Sequence, residues 1–147
     1  YVDLVSGTAD NGYAGQGMGM QFKGDRGVLG EFIVRTPAAV TTMKIEVGFS
    51  DADDDAGAIN VKATPNFTAG DCAVFVQAIA ASTTYRFAVR IEGDSVSAWI
   101  NGVQVAGHAD GIEGGTALTP WVFVQARTGS ASRTIQLHKW RAIQPAY

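Results

Sequence analysis

The chain has 147 residues, 46% of them hydrophobic and 17% charged, so we expect one folded domain rather than a disordered segment. A formal net charge of −3 without any basic block excludes the usual electrostatic signature of proteins that bind nucleic acid or anionic membranes. Cys72 is the single cysteine, which excludes an internal disulfide and a cysteine-based zinc site. We also find no signal peptide or transmembrane stretch in the sequence.

Hydrophobic and polar residues alternate along three short segments, as expected for antiparallel strands with one buried face. These are MKIEVGF from Met43, TYRFAVRIE from Thr84 and SVSAWING from Ser95. Six further segments are predicted as strands: MGMQFKG from Met18, GEFIVRT from Gly30, INVKAT from Ile59, CAVFVQAI from Cys72, PWVFVQAR from Pro120 and RTIQLHKWRAI from Arg133. Roughly nine to ten short strands with glycine-rich turns and no helical stripe predict an all-β fold. We therefore expect one antiparallel β-sandwich or jelly roll over residues 1–147.

The segment from Thr83 to Val105 gives the clearest local prediction, a three-stranded meander. Its first turn falls at Gly93-Asp94 and its second at Asn101-Gly102. Asn-Gly tolerates positive φ at both central positions, as a type I′ hairpin requires.

Residues that could perform catalysis are few. Cys72 follows an aspartate and precedes an apolar strand, so we interpret it as a packed cysteine rather than a thiolate nucleophile. His108 and His138 lie thirty residues apart, and no local spacing joins either to a metal site. Glu92 and Asp94 match only part of the E-x-D-x-x-E strand of β-sandwich glycanases. These patterns predict a protein that is not an enzyme.

The acidic stretch GFSDADDDAG, residues 48–57, is the most charged part of the chain. Asp51, Asp53 and Asp55 match the first three ligand positions of an EF-hand loop, but Ala56 and Lys62 replace the required glycine and glutamate. We favour a solvated loop between two strands. An irregular calcium site at Asp51, Asp53 and Asp55, or a contact with a basic partner, stays open; otherwise we expect no cofactor.

Three aromatic side chains are candidates for surface contacts. Trp99 points away from the apolar side of its strand, whereas Trp121 and Phe123 share one face of a strand that is apolar on both faces. Such a strand is either sandwiched within the fold or covered by another subunit. We assign Trp99, Trp121 and Phe123 to a core or subunit interface, with a sugar-stacking platform as the alternative.

The C-terminal half carries a resemblance to a known family. TYRFAVRIEGDSVSAWINGVQV, followed by TALTPWVFVQARTGSASRTIQLHKWRAI, resembles concanavalin A-like (laminin-G-like) jelly-roll domains. LTPWV before a Gly/Ser turn, together with VGFSDADDDAG and FTAGDCAVFV, is similar to the form found in structural proteins of tailed bacteriophages. The resemblance covers roughly residues 40–143.

The resemblance implies a non-enzymatic virion component and supplies no catalytic residues. We expect a capsid decoration (cement) protein on the capsid surface that binds the major capsid protein or another virion protein, as a homotrimer. No nucleic acid or membrane partner is implied. The alternative is a lectin-like carbohydrate-binding module, on a phage tail fibre or in a secreted glycan-binding protein.

Overall fold

The computed structural model describes residues 1–9, 11–52, 57–58, 70–76, 80–127 and 131–145, and these residues form eleven strands. The strands are β1 Val2–Val5, β2 Tyr13–Gly17, β3 Phe22–Lys23, β4 Val28–Arg35, β5 Met43–Ser50, β6 Cys72–Val76, β7 Thr84–Glu92, β8 Ser95–Ile100, β9 Val103–His108, β10 Ala117–Ala126 and β11 Thr134–Ile143. Within those ranges the helical structure is one 3₁₀ turn, Gly24–Arg26. None of the described helical structure is long and apolar enough to cross a membrane.

Two antiparallel sheets build the sandwich, which confirms the predicted fold class. The six-stranded sheet has the order β1-β11-β4-β7-β8-β9. The five-stranded sheet has the order β2-β10-β5-β6, and β3 pairs with the first residues of β10. Strands distant in sequence are therefore neighbours, as β1 and β11 show at one edge.

The core lies between the inner faces of the two sheets. Phe32 and Phe87 from the six-stranded sheet meet Phe49 and Val122 from the five-stranded sheet, and all four are at most 2% exposed. Phe32 and Phe49 pack edge to face with ring centres 6.3 Å apart. Burying each such side chain contributes about 1.5–3 kcal/mol, so this layer is the main source of stability.

The predicted meander is confirmed as β7, β8 and β9. Asn101 and Gly102 have φ values of 52° and 83°, as a type I′ turn requires. At the preceding turn Gly93 has φ of 59°, and Asp94 does not share its positive value. A register shift between Ala98 and Trp99 marks a β-bulge toward the edge strand β9.

The N-terminal region departs from the predicted strands. MGMQFKG pairs only at Phe22–Lys23, and β1 and β2 were not predicted. β2 reads YAGQG, and a Cβ on Gly15 would lie 3.0 Å from the Trp121 ring and 3.3 Å from the Phe123 ring. At Gly15 the aromatic rings of β10 occupy the space that a side chain would need, and a Cβ on Gly17 would lie 3.1 Å from Thr119 Oγ1. The predicted strand INVKAT lies outside the described residues.

Candidate binding surfaces

The strands β5 and β10 of the five-stranded sheet are buried on their outer face as well, against the expectation for MKIEVGF. The alternation predicted solvent-facing Lys44 and Glu46, but all eight residues of β5 are buried and both charged side chains are 0% exposed. The prediction was wrong because period-2 alternation records polarity and cannot show whether another part of the chain covers the polar face.

The two buried charges compensate each other and have further partners. Lys44 Nζ lies 2.9 Å from Glu46 Oε1, and 4.9 Å from the centre of the Phe123 ring. Glu46 Oε2 accepts hydrogen bonds from Trp121 Nε1 at 3.0 Å and from the Ala58 backbone N–H at 2.7 Å. Paired and hydrogen-bonded charges can be buried, whereas an isolated charge at this position would be strongly destabilising.

Trp121 and Phe123 lie on this same buried face. They are 3% and 0% exposed, and their rings stack with centres 5.7 Å apart. The ring of Tyr13 on β2 stacks on the Phe123 ring, with the two ring centres 5.9 Å apart. In this structure the chain itself covers both rings, which leaves neither side chain available to a second subunit or to a sugar.

The outer face of the six-stranded sheet is exposed and charged. Among its described residues are five exposed cations and three carboxylates: Arg35, Arg86, Arg90, Lys139 and Arg141, with Asp3, Glu31 and Glu92. We call this surface the basic sheet face. It holds five of the 11 lysines and arginines of a chain whose net charge is −3, so the fold separates the charges that the sequence intersperses.

Glu31 is the centre of the basic sheet face. One oxygen accepts a hydrogen bond from Arg86 and the other from Arg141, and the Glu31 side chain is 15% exposed. The Arg86 hydrogen bond is the main cause that lowers the pKa of Glu31, with Arg141 adding to it, while burial acts in the opposite direction. Glu31 therefore stays ionised and holds two guanidinium groups in place.

Trp99 lies on the same face, as the alternation of SVSAWI predicts. It is half-buried, and its partners across the sheet are Ala88 on β7 and Gln104 on β9. Ala88 is in turn opposite Glu31 on β4. Trp99, Ala88 and Glu31 are therefore adjacent across three neighbouring strands, with the small Ala88 between the indole and the ion-paired carboxylate. Of the three predicted interface residues, Trp99 alone offers surface to a partner.

The first aspartate of the acidic stretch, Asp51, follows directly after the last residue of β5. The Asp51 backbone N–H donates to Asp71 O at 2.9 Å, and Asp51 Oδ1 is buried without a hydrogen-bond partner among the described atoms. Asp53 and Asp55 lie outside the described residues. In the described ranges, no group of three or more metal-binding side chains is arranged to hold an ion. The calcium site therefore stays a prediction.

Carboxylates also line a shallow depression of about 360 Å³ at the end of the sandwich, formed by Asp71, Asp94, Asp110, Gly111, Ile112 and Glu113. Asp71 accepts hydrogen bonds from Glu113 N–H and Thr116 Oγ1, and Asp94 Oδ1 accepts from Gly114 N–H. These bonds fix the loop before β10. Glu92 is ion-paired with Arg90 on the basic sheet face, whereas Asp94 bonds to the loop before β10, so the two carboxylates of the partial glycanase motif have different partners.

Cys72, His108 and His138 lie on three different strands, β6, β9 and β11. Burial raises the pKa of the Cys72 thiol to about 12, and the carboxylates of Glu46, Asp51 and Asp71 add to the effect. A neutral thiol is a poor nucleophile, which agrees with a packed cysteine. His108 is exposed on edge strand β9, and His138 lies at the bulge of β11 with its ring 5.3 Å from that of Tyr1.

Comparison with known proteins identifies the fold. No family model and no curated protein sequence matches the chain. Among solved structures, the carbohydrate recognition domain of Emp47p is similar, with a TM-score of 0.67 and 10% identity over 97% of this chain and 82% of that one. The family 7 alginate lyase A1-II′ gives a TM-score of 0.60 and 13% identity over 97% and 77%. The endo-β-1,4-glucuronan lyase from the fungus Trichoderma reesei gives 0.55 and 9% over 97% and 78%.

These neighbours include one sugar-recognition domain and two polysaccharide-cleaving enzymes on one scaffold. At such low identity the likeness shows the jelly-roll, concanavalin A-like fold alone. Function must therefore be argued from the surfaces of this chain.

Proposed function

We propose that the chain is a non-enzymatic structural protein of a bacteriophage virion, which binds the capsid shell as a decoration protein. The observation that carries the proposal is the contrast between the two outer faces. Side chains of the chain itself fill the face around Lys44, Glu46 and Trp121, whereas the basic sheet face is open. A broad open face suits contact with another surface better than chemistry on a small substrate. The resemblance of LTPWV and VGFSDADDDAG to phage domains supports the same proposal.

The physical role would be to bury area across seams between capsid subunits. A six-stranded sheet is about 24 Å wide, because neighbouring strands lie about 4.8 Å apart. A face of that width and the length of a strand approaches the roughly 800 Å² per partner of a standard interface. A homotrimer would match the local three-fold positions of a shell.

Light scattering and co-sedimentation test the proposal. We expect a trimeric mass in solution and co-sedimentation with shells purified from the same phage. We expect no cleavage of alginate or glucuronan, followed by the ultraviolet absorbance of unsaturated products. A monomer that stays in the supernatant, or a steady rise in absorbance, would contradict the proposal.

A carbohydrate-binding domain is the second candidate, favoured by the half-buried indole of Trp99 on an open face. The Emp47p neighbour, described as a carbohydrate recognition domain, shows that the scaffold supports sugar binding. A glycan array, with and without EDTA, separates this candidate from the first. Selective retention of a glycan would favour it, and silence under both conditions would remove it.

A further inference from the structure

The basic sheet face has the chemistry of a polyanion site. Its five cations exceed its three carboxylates by two, in a chain that is negative overall. At 0.1 M salt the Debye length is about 10 Å, so the acidic far side of the sandwich is largely screened from a ligand on this face. We propose that the basic sheet face binds an anionic polysaccharide, with Trp99 as the stacking platform and Arg86 and Arg90 as the carboxylate contacts.

The strand register places the three side chains together. Trp99 is directly opposite Ala88, and Arg86 and Arg90 lie two residues before and after Ala88 on the same face of β7. Diagonal neighbours across a sheet are about 7–8 Å apart, within reach of long side chains. Ala88, directly opposite the half-buried indole, has a small side chain, and an arginine lies on each diagonal from Trp99.

Both arginines are held in position by carboxylates of this chain. The NH2 group of Arg86 bonds to Glu31, and that of Arg90 bonds to Glu92. A guanidinium group has five N–H donors, so each arginine keeps donors for a ligand carboxylate. Their side chains are 60% and 55% exposed, which makes those donors accessible. Less conformational entropy is lost on binding when the side chains are already ordered.

The centre of the basic sheet face suits a hydrated glycan. It is formed by the ion-paired cluster of Glu31, Arg86 and Arg141. Removing water from ion pairs costs free energy. A polysaccharide chain that crosses the face leaves these pairs hydrated at its sides.

The neighbours of Trp99 favour an acidic sugar over a neutral one. Its cross-strand partners are Ala88 and Gln104, and Ser97 lies two residues away on the same face. The Oδ1 atom of Asn101, in the following turn, accepts a hydrogen bond from the Arg86 backbone at 2.9 Å. No aspartate flanks the indole on the sheet, and its nearest charged neighbours are the two arginines.

This inference rests on the second candidate function, carbohydrate binding, and it places the ligand on the same face that the virion proposal assigns to the shell. A failure of polygalacturonate binding would remove this inference alone, whereas co-sedimentation with shells tests the virion proposal separately. The direct test is titration of the full chain with polygalacturonate and with neutral dextran of similar length, at low and moderate salt. We expect binding of polygalacturonate, weaker at higher salt, and none of dextran. The double variant Arg86→Gln, Arg90→Gln should weaken binding at least about tenfold, since it removes two positive charges and their charge-assisted hydrogen bonds to the ligand carboxylates.

Trp99→Ala tests the platform, and Trp99→Phe keeps an aromatic ring in case the alanine variant is unstable. We expect several-fold weaker binding for the alanine variant, recovered in part by phenylalanine, with the salt dependence kept. Lys23→Gln removes one positive charge away from this face and should bind like the parent. Absence of polygalacturonate binding, equal binding of dextran, or binding that the arginine and Trp99 variants leave unchanged would overturn the proposal.

Discussion

At the residue scale, the buried pair of Lys44 and Glu46 distinguishes this chain from a simple two-faced sandwich. Each charge depends on the other, and Trp121 and Ala58 donate to Glu46 in addition. Glu46→Ala should lower the free energy of unfolding by about 3–5 kcal/mol, because Lys44 would stay buried without its counter-charge. Chemical denaturation followed by circular dichroism measures the loss.

Glu92→Ala is the matched control for that prediction. Glu92 is likewise ion-paired, in its case with Arg90, but its side chain is 57% exposed. The loss in free energy of unfolding should therefore stay within about 1 kcal/mol. Equal losses for the two variants would show that the five-stranded face is open to water and that the burial of Lys44 and Glu46 is not maintained.

The sequence could identify Lys44 and Glu46 as polar residues of a strand but not as buried ones. Their burial depends on Trp121 and on the segment around Ala58, which are 75 and 12 residues away from Glu46 along the chain. Trp99 was assigned correctly to the outer side of its strand, because alternation alone decides the side. Its arginine neighbours could not be assigned, since the cross-strand register was unknown.

At the element scale, the turn between β8 and β9 is the local feature that the sequence determines best. Gly102 has φ of 83°, and nothing lies within 4 Å of a Cβ added there. Gly102→Ala should therefore cost about 1–2 kcal/mol through backbone strain alone. The same denaturation measurement detects it.

Gly115→Ala is the control for the turn. A Cβ at Gly115 also meets nothing within 4 Å, and this glycine does not have positive φ. We expect a change within about 0.5 kcal/mol of the parent, as for ordinary surface positions. A loss as large as that of Gly102→Ala would mean that the turn conformation is not the cause.

The strands themselves were predictable where hydrophobic alternation is strong, as in β5, β7, β8 and β11. β2 was missed because its glycines give no periodic signal, and the need for glycine at position 15 arises only from the packing of Trp121 and Phe123 on the neighbouring strand. β1 was missed because it has only four residues and is a strand only through its pairing with β11, the last strand of the chain. Non-local pairing of this kind has no local sequence signature.

At the scale of the whole molecule, calcium binding by the acidic stretch is the open prediction that melting can test. If Asp51, Asp53 and Asp55 bind calcium, the ion should raise the melting temperature, since a ligand of the folded state stabilises it. The variant Asp53→Asn, Asp55→Asn should abolish the shift while leaving the calcium-free melting temperature near that of the parent. An unchanged melting temperature in the parent protein would leave the stretch as a solvated connection between strands.

The chain forms a jelly roll, and we propose that it acts through its outer surface. The resemblance from residue 40 to residue 143 led to the fold, which the solved structures confirm. The role of the chain in an assembly could not be predicted from fold or composition. The solved structures that share this fold include both a carbohydrate recognition domain and an alginate lyase.

Quantitative mass spectrometry of purified phage particles tests the proposed virion role. We expect the chain to be present in purified virions at a fixed ratio to the major capsid protein and to be retained through gradient purification. Absence of the chain from intact particles, with recovery only in the soluble fraction, would contradict its assignment as a structural protein of the virion.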